Sequence, residues 1–272
     1  FKQKTAYEIP LRLVGSEMCI RDSNHMMRKP RIFCPELSSP TYKCTNIKQI
    51  HHLAKVLRLK PNDPVELFDG KGSLANGAIQ EIAKAHIKFE VDDISLMQNP
   101  HLKFYQAIIP YIKKENLIYS LQKLVELGIN SLLIYKPELL DQSLAKKDLS
   151  KLNDRLMEAV ILACEQSGCN HLPKIKFFND LKQCLQSVEG NTNFDGLFVL
   201  DTIANQFFKD NESVELNEIS IISGPESGYS EKERETMNAL GLKSLKIGHY
   251  VLRAETAPII GISKFHTLLG EH

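Results

Sequence analysis

The sequence predicts an α/β protein in two parts, a small β-barrel followed by a larger domain built on a mostly parallel sheet. Two patterns carry this expectation. Between Arg31 and Asn99, short strand-like runs are broken by turn signals, and after residue 100 continuous apolar runs alternate with helical segments. The predicted division is a leader over 1–25, a barrel over 26–99 and the larger domain over 100–272. Composition allows this, since 272 residues suit one large domain or two ordinary ones and 43% hydrophobic content is ample for cores.

In the first part, "RIFCP", "VELFDG", "GAIQEI" and "HIKFEVDDI" read as strands, with Asp69-Gly70 and Asn76-Gly77 as turns. One helix interrupts them. In "NIKQIHHLAKVLRL", Ile47, Ile50, Leu53, Ala54 and Leu57 fall at helical spacing, which puts His51, Lys55 and Arg58 on the opposite, exposed side. Gln98-Asn99-Pro100 marks the expected linker, because a residue before proline is driven out of helical conformation.

The second part opens with "FYQAIIPYI", an apolar run of the buried parallel-strand kind. The helix "KENLIYSLQKLVELG" follows, with Leu117, Leu121, Leu124 and Val125 on one face and Gly128 as its C-cap. Further strands are "SLLIY", "KIKFF", "GLFVLD", "ISIIS" and "LKSLKIG"; "DLSKLNDRLMEAVILACEQSG" and "NDLKQCLQSV" are helices between them. After "ISII" comes the Gly- and Pro-containing loop "SGPESGY", and Ser230 with Glu233 forms a capping box that starts a helix. A last loop, "HYVLRAETAP", runs into a final helix with Pro258 in its first turn. In open α/β sheets ligands bind beyond the carboxyl ends of strands, so these two loops are expected to converge on one nucleoside-sized hollow. Neither contains Gly-x-Gly-x-x-Gly or a Walker lysine, which argues against a phosphate cradle.

Charge and cysteines narrow the function. The net charge is only +1, yet residues 26–60 hold Arg28, Lys29, Arg31, Lys43, Lys48, Lys55, Arg58 and Lys60 against Glu36, a footprint suited to nucleic acid. Six cysteines, at 19, 34, 44, 164, 169 and 184, show no Cys-x-x-Cys pair and no zinc spacing. They read as reduced thiols in a cytoplasmic-type compartment, without a metal; Cys164 and Cys169 read as core or near-surface thiols rather than catalytic ones, without a partner histidine to make either a thiolate. No run reaches the roughly 20 apolar residues of a membrane helix. The leader "FKQKTAYEIPLRLVGSEMCIRDSNH" precedes Met26-Met27, the expected start, and reads as non-native or disordered; an organelle presequence stays open.

"GPESGYSEKE" together with "IGHYVLRAETA" resembles the paired signatures of the SPOUT-class RNA methyltransferases, specifically the RsmE-type 16S ribosomal RNA uridine-N3 enzymes. "HHLAKVLRL" and "ELFDGKG" resemble that family's PUA-like RNA-binding barrel, and "QKLVELGI" and "ACEQSG" its inner helices, over nearly all of residues 31–265. The resemblance implies a C-terminal trefoil knot, S-adenosyl-L-methionine held in it, a homodimer, and small-subunit ribosomal RNA as substrate. It also implies alternatives: a related SPOUT enzyme acting on another RNA or a ribose 2′-hydroxyl, and a degenerate ribosomal-RNA-binding dimer without turnover.

The residues fit the implied cofactor in chemical terms. Gly224, Gly228 and Gly248 would let main chain approach a flat ring. Ile247, Val251 and Leu252 would supply apolar walls, Leu200 joins them by resemblance, and Pro225, Glu226, Arg253, Thr256 and Ala257 complete the expected cofactor set. Methylating uracil N3 requires loss of its proton, so Arg253 is the candidate to stabilise charge on the uracil oxygens. Glu226 or Glu255 would accept the proton or hold Arg253 in place. Arg31, His51, His52, Lys55 and Arg58 are the expected phosphate contacts, with His52 nearest the apolar side. Three departures stand out: Ser227 where the family commonly has glycine, Cys169 where it usually has arginine, and His249-Tyr250 in place of residues that include a cation.

Overall fold

The computed structural model describes residues 29–140, 144, 150–189, 196–207 and 216–271, and the architecture below is that of these residues. The expected leader over 1–25 and start at Met26-Met27 lie outside them.

The first sheet contains β1 (Arg31–Phe33), β2 (Thr41–Cys44), β3 (Pro64–Phe68), β4 (Ser73–Ile82), β5 (Ile87–Val91) and the short β6 (Ser95–Leu96). Its order is β1-β3-β4-β5-β2, with β6 on β4. The period of two is visible in β5, where Ile87, Phe89 and Val91 enter a core shared with Ile32, Val65, Leu67 and Ile79. Asp69-Gly70 is a turn as expected: Gly70 has φ 74°, and the Asp69 carboxylate accepts from Lys71 N at 2.7 Å and Ser73 N at 2.9 Å. Asn76-Gly77 is not a turn. Both lie inside the ten-residue β4, and glycine is needed because a Cβ at 77 would sit 2.3 Å from the Glu90 carbonyl oxygen on β5. The dipeptide marks a close backbone approach.

The barrel helix is also shorter than its pattern predicts. α1 (Ile47–His51) is capped by Asn46, whose side chain accepts from Lys48 N at 3.0 Å and Gln49 N at 3.2 Å, and it passes directly into a π-helical turn, His52–Val56. A π turn is wider than an α turn, so the apolar face rotates out of register. Ile50 and Leu53 remain in the core, whereas Ile47 is 76% exposed and Leu57 also faces water. Arg58, at φ 55°, ends the segment.

The second sheet is parallel throughout, in the order β12-β10-β11-β7-β8-β9. Its strands are β7 (Phe104–Pro110), β8 (Ser131–Tyr135), β9 (Lys174–Phe178), β10 (Leu197–Leu200), β11 (Glu218–Ser223) and β12 (Lys243–Leu245). Helices α2 (Lys114–Glu126), α3 (Ser150–Ser167) and α6 (Ala257–Leu269) cover one face; α4 (Leu181–Glu189) and α5 (Glu231–Ala239) cover the other. Both faces being buried explains the continuous apolar runs. Thus Ala107, Ile109, Ile134, Leu200 and Ile221 join Leu121, Leu156 and Phe265, while Ile108, Leu133, Val199 and Ile222 join Cys184, Leu185 and Met237. α2 ends as expected at Gly128, with φ 73°.

The barrel is bonded directly to this domain. Phe33 N donates to Glu165 on α3 at 3.1 Å, Gly72 N to the Asn170 carbonyl at 3.1 Å, and Leu172 N to the Gly70 carbonyl at 2.9 Å. Arg31, expected to meet RNA phosphates, is placed here instead. Its side chain is only 7% exposed, is ion-paired with Glu66, lies over the Phe68 ring, and donates to Asn170 Oδ1 at 2.7 Å and Cys169 O at 3.2 Å. A guanidinium already holding these partners in a protected pocket is a bracket between the two parts of the molecule.

Candidate functional site at the carboxyl ends of the central strands

β10 and β12 are hydrogen-bonded neighbours, and the chain leaving each of them contributes to one hollow of about 300 Å³. Leu200, Asp201 and Thr202 line it from the end of β10; Lys246 to Leu252 line it from the loop after β12; Ala257 closes it at the start of α6. The register is fixed by Asp201 N donating to Leu245 O at 3.0 Å and Lys246 N donating to Gln206 O at 2.8 Å. Farther along the loop, the amides of Thr256 and Ala257 donate to the Arg253 carbonyl at 2.9 and 3.0 Å, turning the chain into α6.

Six of the expected cofactor residues therefore meet: Leu200, Ile247, Gly248, Val251, Leu252 and Ala257. Gly224, Pro225, Glu226, Gly228, Arg253 and Thr256 are not among those lining the hollow. The "GPESG" loop stands behind it, tied on through Tyr229. This buried side chain places its hydroxyl 3.3 Å from the Leu200 carbonyl and 3.1 Å from the Ile222 carbonyl, and a Cβ at residue 224 would lie 3.1 Å from its ring. Gly224 thus makes room for the tyrosine that holds the hollow's own wall, and burial pushes the Tyr229 hydroxyl pKa up. Gly228 has φ 76° and closes a turn onto the Pro225 carbonyl at 2.9 Å, a backbone requirement independent of any ligand. Ser227 is not in the left-handed region and donates to the Leu139 carbonyl at 2.8 Å, so serine fits at that position.

The capping box of α5 is present. Glu233 N donates to Ser230 Oγ at 3.2 Å, and Ser230 N donates to Glu233 Oε2 at 2.9 Å. Glu233 also accepts from Glu138 N at 3.1 Å, and Lys232 Nζ lies 2.7 Å from Glu138, which joins the start of α5 to the chain leaving β8.

Of the three candidate catalytic groups, Glu226 is exposed, Arg253 is 85% exposed, and Glu255 is buried. Arg253 Nη1 lies 3.8 Å from Glu255 Oε1, a loose ion pair, and the other carboxylate oxygen of Glu255 is buried without a hydrogen-bond partner among the described residues. Glu226 is not part of that pair. Sequence reasoning missed Asp201, Thr202, Lys246, His249 and Tyr250 as lining residues. Asp201 carried the usable signal, an acid at the end of the strand run "GLFVLD"; it is paired with Arg234 from α5. On the barrel, His51, Lys55 and Arg58 are exposed and His52 is half-buried.

A parallel sheet covered on both faces, with a ligand-sized hollow beyond its carboxyl ends and a barrel bonded to it, places the chain among α/β proteins that bind a small ligand at the ends of their strands. The chain belongs to the RNA methyltransferase domain family, whose model matches residues 98–266; the RNA methyltransferase PUA domain matches residues 45–92. Among its relatives is a protein from Buchnera aphidicola named ribosomal RNA small subunit methyltransferase E, 29% identical over 81% of this chain and 88% of that one. A solved ribosomal RNA small subunit methyltransferase E from Neisseria gonorrhoeae, bound to S-adenosyl methionine, is 26% identical with a TM-score of 0.75, covering 88% of this chain and 98% of its own. A protein from Legionella pneumophila, solved in complex with the bound cofactor SAM, has the same fold, with a TM-score of 0.77 at 22% identity over 88% of this chain and 97% of its own. The SPOUT-type α/β domain behind a PUA-like barrel is the fold that the sequence led one to expect. Among the described residues, no helix is long and apolar enough to cross a membrane and no histidine, cysteine and carboxylate cluster is suited to a metal.

Proposed function

We propose that this protein methylates N3 of one uridine in small-subunit (16S) ribosomal RNA, with S-adenosyl-L-methionine seated between residues 200–202 and 246–252. The hollow at the ends of β10 and β12, in a chain of the RNA methyltransferase family, is the observation that carries the reading. The fit is chemical as well as spatial: apolar side chains of Leu200, Ile247 and Leu252 face it, and nothing lies within 4 Å of where a Gly248 Cβ would be, which leaves main chain accessible to a flat ring. The cofactor, when bound, supplies a methyl group on a sulfonium, which needs no metal.

This chain's own residues have the remaining work. Uracil N3 must lose its proton to become nucleophilic. Arg253, free to swing through solvent, approaches the uracil oxygens and stabilises the charge that develops there. Glu255, buried beneath it with one oxygen unpartnered, orients Arg253 and offers an acceptor for a donor brought in by the substrate. His51, Lys55 and Arg58, with His52 beside them, meet RNA phosphates on the barrel, which precedes the catalytic domain across a boundary near residue 99. Ile203, Phe207, Tyr250 and Val251 leave an exposed apolar rim near the hollow, and a second copy of the chain completing a homodimer is its proposed cover. Buried free thiols at Cys34, Cys44, Cys164 and Cys184 accord with a cytoplasmic setting.

Calorimetry with S-adenosyl-L-methionine, followed by incubation with unmodified small subunits and mass-spectrometric mapping of N3-methyluridine, tests the proposal. Saturable heat and one new N3-methyluridine are expected. A mark on a ribose 2′-hydroxyl or on another RNA would replace it with a different SPOUT activity, and RNA binding without cofactor heat would replace it with a non-catalytic binder.

A further inference from the structure

A second and larger cavity, about 520 Å³, lies at the opposite, amino-terminal end of the parallel strands, between the linker at Met97–His101 and the loop Gly168–Leu172. Cys169 lines it and is partly exposed. Cys164 is fully buried one helical turn back on α3. The local geometry brings the two together. α3 ends at Ser167, Gly168 has φ 91° and donates to the Cys164 carbonyl at 3.1 Å, and this left-handed cap folds the next residue back over the last turn. Cys169 packs against the core cluster that contains Cys164, and the two thiols hydrogen-bond to each other.

We propose that Cys169 and Cys164 are an oxidisable dithiol, with Cys169 the thiol that attacks a small hydroperoxide entering the 520 Å³ cavity and Cys164 the resolving thiol. In the first step the Cys169 thiolate attacks a peroxide oxygen; the O–O bond breaks, Cys169 becomes a sulfenic acid, and the leaving oxygen departs as water or an alcohol after taking up a proton. In the second, Cys164 sulfur attacks Cys169 sulfur, the S–O bond breaks, and hydroxide leaves with the Cys164 proton as water. The peroxide is reduced by two electrons and the two thiols are oxidised to one disulfide.

The surroundings supply the asymmetry that this sequence requires. The Cys164 thiol hydrogen-bonds to Cys169 and lowers its pKa below the ordinary thiol value, and Arg31, which also donates to the Cys169 carbonyl at 3.2 Å, adds in the same direction. The same contact, with burial, raises Cys164. Burial of the Cys169 side chain opposes the thiolate, as does the carboxyl end of α3. By contrast, Cys34, Cys44 and Cys184 are buried, with thiol pKa values raised chiefly by desolvation.

Limited hydrogen peroxide on the folded full-length chain, alkylation of remaining thiols, and tryptic mass spectrometry of residues 156–174 test this, since both cysteines lie in that one peptide. The peptide should become lighter by two hydrogen atoms and resist alkylation until reduced. Cys164→Ser should instead leave a dimedone-reactive sulfenic acid at Cys169, and Cys169→Ser should leave Cys164 unoxidised. At neutral pH, iodoacetamide should label Cys169 at least about tenfold faster than Cys34, Cys44 or Cys184. A peptide that stays dithiol under peroxide, or buried cysteines that react as fast as Cys169, would overturn the proposal. Should either serine variant fail to fold, the wild-type peptide and labelling order decide it alone.

Discussion

Arg253 and Glu255 show how much a neighbour's burial defines a residue's role. The arginine is exposed and the glutamate beneath it is buried with a partnerless oxygen, so Arg253 has freedom to meet a substrate and little structural duty. Arg253→Ala is therefore expected to reduce turnover by about 100-fold or more while leaving S-adenosyl-L-methionine affinity within a few fold, as single-turnover rates and calorimetry would show. Parallel losses of both would make it a scaffold residue. A second residue-scale case is His266, buried on α6 with its ring 4.7 Å from His101 and 4.3 Å from Tyr105. Burial, then the neighbouring His101, pushes its pKa down to about 4, against a partial counter-effect of Glu271. The folded pKa lies below the ordinary 6.5, so the unfolded chain binds the extra proton first and stability falls as pH drops from about 6.5 towards 4. His266→Phe should remove roughly 2–3 kcal/mol of that loss, measured as the difference between denaturation at pH 7 and pH 4.5. An unchanged acid limb would show that other groups set it.

At the scale of elements, the helical pattern in "NIKQIHHLAKVLRL" was legible but its phase was not. Asn46 starts the helix as a cap should, and Leu53 is buried as its spacing predicts, yet the π turn His52–Val56 rotates the later residues and turns Leu57 out to water. That turn leaves His51, Lys55 and Arg58 at the surface, so the basic face survives the shift. Lys55→Glu combined with Arg58→Glu should weaken RNA binding and reduce the slope of log affinity against log salt by about 2, one for each phosphate left without its cation. An identical slope would remove this helix from the RNA path. Gly77 teaches the complementary lesson, because Asn-Gly has a turn reading and a close-approach reading and only the Glu90 carbonyl decides between them. Gly77→Ala should cost about 1–3 kcal/mol in denaturant unfolding, and a neutral outcome would mean that β5 yields freely.

Across the whole molecule, the barrel and the second domain are linked through side chains that also hold the barrel together. Arg31 joins Glu66 on the barrel to Asn170 and the Cys169 carbonyl beyond α3, with Phe33 and Glu165 alongside. Arg31→Ala leaves the half-buried Glu66 without its cation and should cost about 1.5–3 kcal/mol, the range for losing hydrogen bonds to a charged group. Calorimetry should show one transition in the wild-type chain and a lower, broadened or divided one in the variant. A variant that melts as the wild type does would show the two parts to be coupled elsewhere.

The sequence by itself determined the alternation of strands and helices, the capping box at Ser230 and Glu233, the turn at Asp69-Gly70 and the segments that flank the hollow, because each depends on neighbours within a few residues. It could not tell which of those segments supply the lining and which support it. Gly224 and Gly228 read as ligand contacts, yet one makes room for Tyr229 and the other closes a turn, while Asp201 and Lys246, drawn from two separate strand ends, face the hollow. Arg31 read as one more surface cation. Its partner 139 residues away, brought near by the packing of the barrel on α3, gives it a structural place that only the tertiary structure decided.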